Sequence, residues 1–367
     1  MIGIYKCEKY DENKLDEVIN KLFIEHEFDK MISNGTKVAL KPNLLTKKKP
    51  NEAVTTHPLF IKAVAKKVIS LGGSCILCDS PGGAYTKNVL QNLYTYNELK
   101  QLEEIGVELN YDISFEYVSI NGKVLLGCDV IAPIINADLV INLAKIKTHS
   151  FMNLTCAVKN MFGILPGIRK TEIHSRFASY SDFANAMIDI SLATKNQITI
   201  IDGVMALEGN GPAAGNPRNI GLILAGKNQF ELDYIVTKII GMDIKDAYIV
   251  DESIKRNLVD LSNIKVIGES IEDVKVTDFK FPDTIAKKVV KVAFGFTKYI
   301  KPYPVFNQNK CKLCNICADR CPEKALGIKN ERMRLNKKKC IRCFCCHEHC
   351  PYKAIDIKHV LNLKKKK

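Results

Sequence analysis

The sequence predicts a protein in two main parts: an α/β body with a largely parallel sheet, and a small α+β unit, dense in cysteine, at the C-terminus. Three observations carry this reading. Short apolar runs of strand type alternate with helical periodicities over most of the chain. Nine of the fourteen cysteines lie between Cys311 and Cys350. Charge divides the same way: from Thr284 onward there are 22 Lys/Arg and 5 Asp/Glu, whereas the preceding residues carry 32 and 35. With 367 residues, 46% of them hydrophobic, the chain can bury a core in each of two or three domains.

The body is expected over residues 1–283. Val38–Leu40, Ser74–Cys78, Asp138–Leu143, Ile198–Ile201 and Ile220–Leu224 read as short buried strands. His57–Ser70 has helical periodicity and stops at Gly72-Gly73, and Ser181–Ala193 is a second helical stretch. Residues 284–305 read as a basic amphipathic connector, with apolar residues at 285, 289, 292, 296 and 300 on one helical face. Such a face can lie on a membrane surface; packing on its own protein is preferred here, with Pro302 and Pro304 ending the helix. Residues 306–367 are read as the last unit, with Lys364–Lys367 expected as a solvated tail. Met1–Tyr10 lacks a charged head followed by an apolar run, and runs such as Val130–Ile135 are too short to cross a bilayer. The expectation is a cytoplasmic protein without a transmembrane segment.

The cysteines carry the most specific signal. Cys311–Pro322 reads CKLCNICADRCP and Cys340–Pro351 reads CIRCFCCHEHCP, with eighteen residues between Cys321 and Cys340. Each run is C-x-x-C-x-x-C-x-x-x-C-P. A cubane needs four thiolates converging from different directions. Three come from one tight loop, and the fourth must come from elsewhere. The pattern over about Asn307–Asp356 resembles the two-cluster bacterial ferredoxins, in which the fourth cysteine serves the other cluster. That implies one [4Fe-4S] cluster on Cys311, Cys314, Cys317 and Cys350, and a second on Cys340, Cys343, Cys346 and Cys321. Zinc would leave the doubled run unexplained. Cys345 lies between two ligands as a spare thiol or an alternative ligand; Cys346 keeps the spacing of both runs. His347 and His349 are read as tuning or shielding the cluster. Cys7, Cys75, Cys78, Cys128 and Cys156 are scattered and form no disulfide framework. Each oxidised cluster with its thiolates carries about −2, so the C-terminal part keeps a basic surface. That surface suits an acidic redox partner such as a ferredoxin.

In open α/β sheets, functional groups collect at the carboxyl ends of strands. Here Val38–Leu40 runs into Lys41-Pro42-Asn43, Ile76–Cys78 into Asp79-Ser80-Pro81-Gly82-Gly83, and Ile198–Ile201 into Asp202-Gly203. Leu139–Leu143 runs into Lys145, Lys147 and His149. At alternate positions these three share one face of a continued strand, about 6.7 Å apart. They must reach solvent, pair with acids, or bind an anion. Lys159-Asn160 follows on a helix, and His174 lies in IRKTEIHSR, read as a polar loop. The loop Gly209–Arg218 contains G-x-G-x-x-A, but Pro212 and Pro217 disfavour a dinucleotide site, and no Walker-type loop is present.

VALKPNLL, TTHP, the DSPGG turn, NLAKIKTHSFMNLTCAVKN, His174, IDGVMALEGNGPAAG and LDYIVTKIIG with Asp233 together resemble the family called domain of unknown function 362, over most of residues 35–245. Many members carry a fused two-cluster ferredoxin domain. The resemblance implies a shared site but no settled reaction. The candidate residues are Lys41, Asn43, His57, Asp79, Lys145, Lys159, Asn160, Asp202 and Glu208 for a substrate or cofactor, with Lys147, His149 and His174 as catalytic groups. The lysines would hold anionic groups, and His149 or His174 would act as general acid. A further metal on His57, His149, His174 and the acids stays open. The function expected is an iron–sulfur oxidoreductase passing electrons to an anionic substrate or cofactor in the body. The alternative is a non-catalytic electron-transfer or maturation protein acting on a protein partner. Nucleic acid is not expected, because no RNA-binding motif is recognisable.

Overall fold

The computed structural model describes residues 1–282 and 300–361. The body is built on a nine-stranded mixed, mostly parallel sheet. Its strands are β1 (Ile2–Lys6), β2 (Lys37–Pro42), β3 (Ser74–Leu77), β4 (Val107–Leu109), β7 (Leu139–His149), β8 (Asn153–Thr155), β9 (Gln197–Glu208), β10 (Asn216–Gly226) and β11 (Val266–Gly268). The order is β11-β1-β10-β9-β7-β2-β3-β4, with β8 folded back on β7. The run β9-β7-β2-β3-β4 is parallel throughout. β5 (Phe115–Ser119) and β6 (Gly127–Ile131) form a separate antiparallel pair.

Strand alternation sorts the core into layers. In β2, Val38 and Leu40 pack with α1 (Glu12–Glu25), α2 (Pro58–Ser70) and α3 (Lys87–Tyr96), whereas Ala39 faces the other layer. That second layer holds α4 (Ala132–Ile135), α5 (Ala157–Asn160), α6 (Gly167–Arg176), α7 (Tyr180–Ser191), α8 (Gln229–Ile239) and α9 (Tyr248–Lys255). Phe183 and Met187 of α7 pack there with Val140 of β7, and Leu232 and Val236 of α8 with Ala144 and Ile146. The expected strands and the α2 and α7 helices all form, and α/β is the fold class observed. IRKTEIHSR differs: it lies within helix α6 rather than a loop.

The helix expected over 284–300 lies outside the described residues up to 299. Ile300–Phe306 is strand β12, paired antiparallel with β15 (Ile355–Leu361). Pro302 and Pro304, read as ending a helix, sit inside this two-stranded edge, where a missing N–H is tolerated. β13 (Leu326–Lys329) and β14 (Arg332–Leu335) form a hairpin. Each cysteine run ends in one helical turn, Ile316–Asp319 or Cys345–Glu348. Leu313 and Asn315 in the first run, and Arg342 and Phe344 in the second, have positive φ at equivalent positions. This left-handed twist curls each loop so that its cysteines face inward.

Candidate functional site

The carboxyl ends of β2, β3 and β7 lie side by side, so the polar stretches that follow them converge. A pocket forms there, walled on one side by the second cysteine run. Of the twelve predicted body residues, Lys41, Asn43, Asp79, Lys147, His149, Lys159, Asn160 and His174 line it.

Its floor is a hydrogen-bonded lattice. Lys41 Nζ lies 2.9 Å from Asp79 Oδ1 and donates to the Pro42 carbonyl. Asp79 also accepts from the Leu44 and Ser80 N–H groups. A side chain at Gly163 would strike this ion pair, which requires glycine there. Asn43 donates to Asn160, and Asn160 donates to Asn142 and the Lys41 carbonyl. Lys147 Nζ donates to Asn43 Oδ1 and the Val54 carbonyl. Asp233 accepts from the Ala157 and Val158 N–H groups, fixing the turn that carries Lys159 and Asn160. Burial raises its carboxyl pKa to about 7.

The other four candidates lie elsewhere. Lys145 Nζ is bonded to Asp202 Oδ2 at 2.8 Å and to the Tyr10 hydroxyl. Asp202 also accepts from Tyr10 and from the His57 N–H. The His57 ring stacks on Tyr10 at 3.6 Å, and its Nδ1 caps α2 by accepting from Leu59 N–H. These four side chains pair with one another, Lys145 and Asp202 buried and Tyr10 and His57 half-buried. Glu208 accepts from the Lys280 N–H. The register between β7 and β9 explains the separation. Lys145 sits opposite Asp202, then the register shifts and Lys147 sits opposite Leu207. One lysine meets a carboxylate across the sheet and the other does not.

The structure adds residues that the sequence reading missed. Lys170 lines the pocket four residues before His174 on α6, and donates to the Ser80 and Pro81 carbonyls. That i,i+4 spacing was the available signal, hidden because the stretch was read as a loop. Arg320, Glu348 and His349 come from the cysteine runs and complete the wall. Gly82 and Gly83 admit them: a side chain at either glycine would collide with His349 or Arg320. The Gly209–Arg218 loop also holds this docking, since His347 Nε2 lies 3.2 Å from the Asn210 carbonyl.

Electrostatics follow from burial. Burial, then Lys159, lowers Lys147 to about 7, and burial lowers Lys170 to about 7. Burial also holds His149 at about 4 and His174 at about 3, so both are neutral at pH 7. His149 Nδ1 accepts from the Phe151 and Met152 N–H groups, which puts the proton of the neutral ring on Nε2. Nε2 lies 2.8 Å from Glu348 Oε1, at ion-pair range but without hydrogen-bond alignment. Burial alone would raise Glu348; His149 and then Lys159 hold it well below the usual carboxylate range. His174 Nδ1 and His349 Nε2 are buried and, among the described residues, have no hydrogen-bond partner. Lys159 and Arg320 also line the pocket, and among the described residues neither has a carboxylate at ion-pair distance.

The cysteines fall into two groups. One cavity is lined by Cys311, Cys314, Cys317 and Cys350; another by Cys321, Cys340, Cys343 and Cys346, with Cys345. Cys321 Sγ accepts from Ala325 N–H and Cys350 Sγ from Ala354 N–H, as expected of sulfurs that carry negative charge. Four thiols around each cavity, with backbone donors behind, suit an iron–sulfur cluster in each. Cys345 lines both the second cavity and the pocket.

Comparison with known proteins agrees with this division. The family described as domain of unknown function (DUF362) matches residues 38–238, and a 4Fe-4S dicluster domain matches residues 303–351. A thylakoid-associated protein of Synechocystis is 33% identical over 219 residues, 58% of this chain and 65% of the relative. The match therefore spans just under two-thirds of that relative's length. The lactate racemase apoprotein of Thermoanaerobacterium thermosaccharolyticum aligns with a TM-score of 0.37 at 12% identity, over 62% of this chain and 54% of that one. That likeness is too distant to bear on activity. Among the described residues, no helix is long and apolar enough to cross a membrane. With its family match covering most of the sheet, the polar strand ends and the pocket floor, the chain belongs to the DUF362 family and carries a 4Fe-4S dicluster-type domain after it.

Proposed function

We propose that this protein is an iron–sulfur oxidoreductase acting on a small anionic ligand in the pocket between the body and the cysteine-rich unit. One observation carries the reading: Lys159 and Arg320, one from each part, line the same pocket, and among the described residues neither has a carboxylate at ion-pair distance. Two half-buried cations lining one pocket are stabilised by a bound anion. The Asn43–Asn160–Lys147 lattice would fix the ligand's orientation. Closure by the second cysteine run would exclude water. Lys147 and Lys170, both brought to about 7, are the groups able to hold or release a proton at neutral pH. His149 and His174, held neutral, would instead orient or accept. A cluster on Cys321, Cys340, Cys343 and Cys346 would supply single electrons at the pocket wall. The other cavity reaches the surface at exposed Cys314, the natural side for a redox partner such as a ferredoxin. The reading places the protein in the cytoplasm, where thiols stay reduced.

A second reading makes the protein an electron carrier or maturation factor for a protein client. It is favoured by the exposed basic surface of Lys329, Arg332, Arg334 and Lys337–Lys339. Native mass spectrometry of the anaerobically purified full chain separates the two. The first expects mass beyond polypeptide and clusters, or binding of added succinate or sulfate, lost in Lys159→Gln and Arg320→Gln. Absence of both retained mass and added-anion binding would overturn it in favour of the second.

A further inference from the structure

The two cysteine runs are equivalent position by position, and Cys345 occupies the place held by Ile316 in the first. Ile316 is 37% exposed, whereas Cys345 is 6% exposed and faces the pocket. Cluster ligation does not call for this ninth thiol, since four other cysteines line the same cavity. Its surroundings supply a use. Ligand atoms of Cys345, Cys343 and His174 all lie within 4.8 Å of one another. His174 is 5% exposed, and among the described residues its Nδ1 has no hydrogen-bond partner. Thiolate and imidazole are the ligand pair for a borderline-soft divalent ion.

We infer that Cys345 and His174 hold a mononuclear divalent metal ion beside the second iron–sulfur site, with the Cys343 sulfur shared between the two. Binding exchanges the Cys345 S–H bond for a metal–sulfur bond and releases the proton to solvent; no electrons move. The remaining coordination position opens toward the pocket. Glu348, three residues after Cys345 on the same turn, supplies compensating negative charge on that face. Lys159 acts electrostatically on both His174 and Cys345, so the ion depends on the thiolates and the Glu348 carboxylate for charge balance. The site shares the pocket with the anion-binding reading but does not rest on it.

Zinc is the probe, because its X-ray absorption edge is separate from that of iron. The full chain, with clusters assembled under anaerobic conditions, is incubated with Zn²⁺, desalted and measured at that edge. One retained zinc per chain is expected, with sulfur at about 2.3 Å and nitrogen or oxygen at about 2.0–2.1 Å. Cys345→Ala and His174→Gln should each weaken zinc binding by at least roughly 100-fold, the upper end of the loss from an outer-shell partner, while leaving the iron content unchanged. Retention of no zinc overturns the site, as does zinc held equally well by both variants. A shell of four sulfurs with loss of iron means that zinc has replaced a cluster and also overturns it. Loss of iron in Cys345→Ala would assign Cys345 to the cluster instead. Sulfate binding, measured in the same samples, reports separately on the anion pocket.

Discussion

The two cysteine runs share a backbone and differ in what they face. Both curl through left-handed residues at the same two positions, and both end in a single helical turn. In the first, Cys314, Asn315 and Ile316 are exposed and Asp319 lies at the surface. In the second, Cys343 through Glu348 are buried, mostly against the body. The spacing of thiols fixes the loop, because cluster geometry leaves little freedom. The residues between the thiols are free to specialise, one run for solvent and the other for a buried ionic interface.

Breaking one ligand in each run tests this asymmetry most strongly. Cys317→Ala and Cys346→Ala should each lower the iron content by about half, if one of two clusters is lost. Only Cys346→Ala should also loosen the pocket, seen as faster amide exchange in the turn after His149. Equal exchange in the two variants would mean that the runs are interchangeable. The next largest contrast lies between equivalent acids. Glu348→Ala removes a buried carboxylate that balances the charge of Lys159 and Lys147 and should cost roughly 3 kcal/mol in denaturant unfolding. Asp319→Ala, exposed and bonded to Asn315, should stay within about 0.5 kcal/mol.

Acid should act through the buried histidines beside the second run. His149 at about 4 and His174 at about 3 bind fewer protons folded than unfolded. Their stabilisation is therefore full above about pH 6.5 and declines as pH falls toward 4, by up to roughly 3 kcal/mol for each. Urea midpoints across that range should fall less steeply in His174→Gln; an unchanged slope would contradict the buried neutral ring. The smallest effect concerns the cations. Sulfate keeps its charge between pH 6 and 8, whereas Lys147 and Lys170 lose theirs near 7. Sulfate affinity should drop roughly tenfold over that interval. Arg320→Gln should lower it at both pH values without changing the dependence.

Much of the body was legible from local pattern. Val38, Ala39 and Leu40 alternate as β2 requires, and the polar residues after β2, β3 and β7 do meet. His57 was misleading because a helix-capping histidine and a site histidine look alike in sequence. Lys145 and Lys147 were equally indistinguishable, since period-2 spacing predicts the same face for both. A register shift in a strand more than fifty residues away decides that one is neutralised by Asp202 and the other is not.

The sequence by itself determined the α/β alternation, the family and the thiol spacing of the cysteine runs. These are written in short periods and fixed intervals that chain geometry enforces locally. Only the tertiary structure decided which cations lack partners, and that Lys170, Arg320, Glu348 and Cys345 join the body's lysines around one pocket. Those groups lie up to about three hundred residues apart in sequence. Their charges and protonation follow from burial and from neighbours brought close by packing, which no local pattern encodes.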